Sequence, residues 1–195
     1  KIILLLGSVI MKRKGVFLLI LLFFTTSSCF AETISLPKRI AVLPTINQSV
    51  PNLELENYLR SELTKKLRIP LNDIIHAHEY IAVEEIEVIL PELKTQFNNP
   101  EKLKIAADKL SADLIIGIVI LNAHERQYQN LWNGETYLSS NISLRLISYE
   151  RDTDTFFSKK KSTSYHGTYM LFGRLQPLAK STIDKLLNSY PLKKF

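Results

Sequence analysis

Residues 104–121 read KIAADKLSADLIIGIVIL: an amphipathic stretch, a short connection and an unbroken apolar run. A helix start stands just upstream at Asn99, Pro100 and Glu101. They supply a capping side chain, a proline at the first helical position where its missing N–H costs nothing, and an acid beside the positive end of the helix dipole. Leu103, Ala106, Ala107 and Leu110 then form one stripe, and its small alanines predict close packing on a sheet. Residues 114–121 fall well short of the roughly 20 apolar residues needed to cross a bilayer and are rich in β-branched side chains. They predict a central strand covered on both faces, and hence an α/β domain.

Upstream, Ile40, Ala41, Val42 and Leu43 in KRIAVLPTIN (38–47) predict a buried first strand stopped by Pro44. Leu55, Leu59, Leu63 and Leu67 recur every fourth residue, predicting a helix ended by Pro70. A second strand is expected near residues 80–83. A helix through Ile86, Ile89, Leu90 and Leu93 follows, which Pro91 should kink or end. Downstream the pattern turns to antiparallel hairpins. Asn133-Gly134 is a hairpin-type turn, Ile142, Leu144 and Leu146 alternate with polar neighbours, and residues 151–155 form a further turn. Residues 156–166 read as a polar edge strand. A C-terminal helix is expected from Leu171 through Leu187, with Pro177 in its first turn. The expected order is β-α-β-α-α-β-β-β-α, a mixed sheet in an α/β (α+β) fold of two or three layers, with helices mainly on one face.

At the N-terminus, Lys12, Arg13 and Lys14 follow Met11 and precede nine apolar residues, 16–24, then Thr25, Thr26, Ser27 and Ser28. A basic patch, a short apolar core and a small polar stretch make an export signal. Residues 1–10 are expected to be an upstream or mis-started segment, 11–31 the signal peptide and 32–195 a single exported domain. Cleavage after Ala31 would give a periplasmic protein. Alternatively, acylation of Cys29 would tether it to the envelope, although Thr26 stands where a lipoprotein signal carries Leu. Export argues against ATP-driven and nicotinamide-dependent chemistry. The formal charge is +6, but Lys1, Lys12, Arg13 and Lys14 lie in the leader, which has no acid, so the remainder carries +2. Such a balanced chain gives no electrostatic argument for nucleic acid. The Lys159, Lys160, Lys161 run reads as protection of a sheet edge. Cys29 is the single cysteine, so a protein cut after Ala31 has no disulfide, no cysteine nucleophile and no thiolate metal site.

Catalytic and cofactor motifs are absent: no phosphate-binding G-x-x-x-x-G-K-[ST] or G-x-G-x-x-G and no G-x-S-x-G occurs. No catalytic residue, cofactor or metal is therefore assigned. His76 and His78 are the weak alternative for a metal, since residues two apart on a strand share a face, but zinc chemistry needs a third protein ligand. Ser164 with His166 lacks an orienting group and an oxyanion site. Tyr128, Leu131 and Trp132, before the Asn133-Gly134 turn, are the candidate partner contacts, because an exposed Trp or Tyr at a hairpin tip is a common anchor. The competing reading has Trp132 folding back to cap the core. The 156–166 edge offers a second contact route by strand addition.

IAVLP in the first strand, KIAADKLSADLIIGIVI, and SLRLISYERDTDTFFSKKKS across a hairpin resemble exported α/β domains of the curli-secretion lipoprotein (CsgG) group. This group's relatives include the penicillin-binding-protein-activator lipoproteins (LpoB) and, in fold, the TolB amino-terminal domain. The resemblance implies a non-enzymatic envelope adaptor that binds another envelope protein, touching membrane only through a lipid at Cys29. The alternatives are an exported metal-binding protein or hydrolase using His76 and His78, or a small-ligand receptor with a pocket between helix layer and sheet.

Overall fold

The computed structural model describes residues 39–71, 79–132 and 134–191. The leader with Cys29, the His76/His78 pair and Asn133 lie outside the described residues. The elements are β1 (Arg39–Val42), β2 (Ile46–Asn47), α1 (Leu53–Leu71), β3 (Glu79–Tyr80), α2 (Val83–Lys94), α3 (Pro100–Leu110), β4 (Leu114–Gln129), β5 (Thr136–Glu150), β6 (Thr155–Thr168), a 3-10 turn (Leu171–Gly173) and α4 (Leu175–Leu187). The expected order holds, with the two-residue β2 added. The sheet runs β3-β1-β4-β5-β6, with β2 also on β4. β1 is parallel to β3 and β4, whereas β4, β5 and β6 form an antiparallel meander.

Alternation along the strands divides the interior into two cores. Ile40, Val42, Leu114, Ile116, Ile118 and Ile120 meet Leu55, Leu59 and Leu63 of α1 and Leu178, Ile183 and Leu186 of α4. Ala41, Leu43, Ile115 and Val119 meet Ile86, Ile89 and Leu93 of α2 and Leu103, Ala106, Ala107 and Leu110 of α3. Helices thus cover both faces in three layers, correcting the expectation of helices mainly on one face. The physical reason is that Ile40–Val42 of β1 and the first half of β4 are apolar at every position and need cover twice. Gly117 belongs to this packing: a Cβ there would stand 3.0 Å from the Leu43 Cβ.

Asp113 ties the base of the sheet together. Its carboxylate accepts from the Arg39 N–H at 3.0 Å and pairs with the Arg151 guanidinium, while its own N–H donates to the Arg39 carbonyl at 2.9 Å. Asn99 caps α3, its side chain accepting from the Glu101 N–H at 3.0 Å.

The largest departures concern prolines and strand length. α1 runs one residue past Pro70. Pro91 sits inside α2, which continues to Lys94; the one backbone bond a proline forfeits is outweighed by burial of Leu90 and Leu93. The C-terminal helix starts at Leu175, and Leu171 belongs to the 3-10 turn instead. Most consequentially, β4 is 16 residues long, about 50 Å, and only residues 114–120 form its buried run.

Asp154, at φ 48°, closes the β5–β6 turn. It accepts from the Tyr149 hydroxyl at 2.5 Å and pairs with Lys104 at 3.0 Å. These two contacts hold its carboxyl below the usual value. Burial, then the Asp154 contact, pushes Tyr149 up to about 12, and burial pushes Tyr190 up to about 12. Two expectations follow from these contacts. Gly117→Ala should cost about 1–3 kcal/mol in urea unfolding, because Leu43 has to give way in a filled core. Both tyrosines are protonated below pH 10 whether folded or not, whereas above it only the unfolded chain loses the protons. Stability should therefore fall as pH rises from about 10 to about 12, and Tyr190→Phe should flatten that slope in urea titrations across this range.

Candidate functional site

Beyond Ile120 the β4–β5–β6 meander runs on past the end of β1, and its hairpin tip projects from the body. The tip is fixed by its own hydrogen bonds. Gly134, at φ 69°, donates its N–H to the Asn130 carbonyl at 2.9 Å, and the Asn130 N–H donates to the Glu135 carbonyl at 2.8 Å. The Asn130 side chain accepts from the Trp132 N–H at 2.9 Å. With the backbone so held, Leu131 and Trp132 stand 93% and 97% exposed, so Trp132 does not fold back to cap the core. Tyr128, one strand turn below, stacks on Tyr137 at 5.7 Å between ring centroids.

A second apolar group joins this end. The Tyr169 N–H donates to the Thr136 carbonyl at 2.8 Å, which brings the chain after β6 alongside the start of β5. Met170, Leu171 and Phe172 follow, all exposed. Phe172 meets Tyr165 edge-on at 5.3 Å, and Gly173 is pressed against the same ring: a Cβ on it would lie 2.3 Å from Tyr165 Cδ1. Facing this turn is the loop into α1, with Val50 and Leu53 exposed. Eight of the ten large apolar side chains exposed among the described residues therefore gather at one end; Val88 and Ile105 are the two elsewhere.

Between the loop and the turn lies a cleft of about 680 Å³, lined by Val50, Leu55, Leu171 and Leu175 and bordered by Glu54, Glu125 and Arg174. Apart from His124, its polar side chains are already committed. Glu125 accepts from the Leu175 N–H at 2.8 Å, capping α4, and pairs with Arg174 at 3.2 Å. Gln176 donates to Glu54 at 2.8 Å, tying α4 to α1. Asn52 caps α1 by accepting from the Leu55 N–H at 3.0 Å. Such an arrangement offers apolar area and fixed dipoles for binding, and presents no nucleophile paired with a base.

Tyr128, Leu131 and Trp132 thus share one end of the sheet. Ser164 and His166 lie exposed on the face of the meander turned away from α4, where Tyr128 also stands 6.4 Å from His166; His124 is exposed on the same strand and borders the cleft. Among the described residues no group of three or more His, Cys, Asp or Glu could hold a metal, and no helix is long and apolar enough to cross a membrane. Val50, Leu53, Met170, Leu171 and Phe172 escaped the sequence reading. The run Tyr169, Met170, Leu171, Phe172 was the available signal, and helical periodicity had absorbed Leu171.

The fold is similar to that of lipoprotein GNA1162 from Neisseria meningitidis, at 16% identity over 78% of this chain and 100% of that one, with a TM-score of 0.45. It is also similar to PelC from Paraburkholderia phytofirmans, solved as a dodecamer, at 17% identity, 81% and 89% coverage and 0.40. A third similar structure is LpoB of E. coli, at 12% identity, 68% and 60% coverage and 0.37. The sequence matches none of the curated proteins searched. Residues 45–168, more than half of the chain, match the family model described as FokI, recognition domain, subdomain 1, and the chain belongs to that family.

Proposed function

We propose that this chain is a non-enzymatic exported adaptor that docks on an envelope protein through the apolar end of its sheet. One observation carries the reading: the concentration of exposed Leu, Trp, Phe, Met and Val at that end, on a backbone already fixed by hydrogen bonds. Exposed apolar patches of this kind are surfaces awaiting a partner, and Trp and Tyr supply most of the energy when they are covered. A pre-formed tip also loses little conformational entropy on binding. The described chain enters the sheet at Arg39, at the end opposite the tip. A family described as a recognition subdomain suits a binding module.

The cleft supports a second reading, a small-ligand receptor, since its volume is that of an ordinary ligand site. Thermal stabilisation by an apolar ligand that Leu175→Arg abolishes would favour it.

A photo-crosslinking residue in place of Trp132 should capture one protein in the native envelope, and the same residue in place of Val88 should capture none. Equal capture at both positions, or none at the tip, would sink the adaptor reading. Gly173→Ala should displace the Tyr165 ring and with it the 3-10 turn, weakening that capture about tenfold while the far-UV spectrum stays unchanged.

A further inference from the structure

The side of the β4–β5–β6 meander turned away from α4 is covered by α3 only near the base, and the remainder is open. Its rows follow from strand register. Lys160 stands beside Arg145, Ser162 beside Ser143 and Asn122, Ser164 beside Asn141 and His124, and His166 beside Ser139 and Arg126. Lys160, Asn122, His124, Arg126, Asn141, Ser164 and His166 are all exposed. No carboxylate occurs in these four rows. The acids bordering them are at the two ends: Glu101, Asp108 and Asp154 around Tyr149 at the covered base, and Glu135, which accepts from the Tyr137 hydroxyl at 3.1 Å, at the tip. Glu125 and Glu150 of the same strands point to the α4 side.

A balanced chain has thus placed two exposed cationic side chains, Lys160 and Arg126, two imidazoles and a set of hydroxyls and amides on one open surface, with the half-buried Arg145 donating to Asn98 at 2.7 Å at its covered end. At the tip end the surface finishes in aromatic rings, Tyr128 lying 6.4 Å from His166 as well as stacking on Tyr137. We infer that this face binds an acidic polysaccharide running along the strands. Charge complementarity selects an anion, and the hydroxyl and amide rows match the hydroxyls of sugars. The tyrosine pair offers a flat apolar surface for a sugar ring. The spacing of charge separates a glycan from a nucleic acid. Arg145 and Lys160 form one cationic row and Arg126 stands about 20 Å further along. A nucleic-acid strand, with a phosphate on every nucleotide, would set most of its charges opposite serines and asparagine. A polymer with acids on only some of its sugars leaves neutral hydroxyls there instead.

The test is calorimetric titration of the full chain with a hyaluronan decasaccharide, which carries one carboxylate per two sugars. A neutral N-acetylglucosamine oligomer and a deoxythymidine oligonucleotide serve as comparisons. Hyaluronan should bind, and its affinity should drop as salt is raised. Arg126→Ser and Lys160→Ser, both at exposed positions, should each weaken it about tenfold. Tyr128→Ala should weaken it too, whereas Trp132→Ala, which tests the tip, should leave it unchanged. Absence of hyaluronan binding, equal binding of the neutral oligomer, tighter binding of the oligonucleotide, or indifference to the two cationic substitutions would each overturn the inference without touching the adaptor reading.

Discussion

Everything in this fold hangs on the burial of residues 114–120 from both sides. This half of β4 pairs in parallel with β1 and antiparallel with β5, so its backbone bonds are satisfied across the middle of the sheet. Its side chains alternate between the two cores. Each fully buried aliphatic side chain contributes about 1.5–3 kcal/mol, and a strand apolar at every position collects that on both faces. Two helix pairs are the consequence, and β1 is held in place by the same strand and in turn holds β3. Gly117 marks how close the approach is, since Leu43 occupies the space its side chain would have taken.

The second half of β4 obeys a different rule. A register shift between Ile120 and Asn122 separates the apolar run from a polar one, and from there β4 has β5 as a long partner but nothing of β1 beside it. The helices α2 and α3 are anchored on residues before this point, so they stop covering the sheet where the apolar positions stop. On the other side α4 continues along β5 and β6, held by Leu178, Ala179 and Ile183 and by the Thr182–Thr163 hydroxyl pair at 2.8 Å. One face of the meander is therefore closed and the other open. The tip projects because no helix follows it.

Binding surfaces arise from this asymmetry without any catalytic arrangement. The apolar end is built where loop, turn and hairpin converge, and its polar neighbours are spent on capping helices and tying α1 to α4. The open face is polar, and its charges are of one sign. An edge strand as long as β6 is ordinarily a hazard, and its three consecutive lysines guard it. Register divides them, sending Lys160 to the open face and Lys159 and Lys161 to the side of α4.

Local chemistry in the sequence determined the elements. The Asn99-Pro100-Glu101 start, the fourfold leucine repeat of α1, the apolar run of β4 and the alternation of β5 depend on neighbours within a few residues, and each appears where its pattern lies. Pro91 is carried inside α2 by the burial of Leu90 and Leu93, whereas Leu171, exposed, falls in the 3-10 turn before the C-terminal helix starts. The exposure of Trp132 was undecidable from sequence, since the same apolar residue can cap a core or await a partner. The gathering of Val50, Leu53 and residues 170–172 at one end joins residues more than a hundred positions apart, and the placing of Arg126, Arg145 and Lys160 on one face joins three strands. Tertiary structure alone decided them, because strand register and the end of helix cover, and not sequence spacing, set which side chains stand together in water.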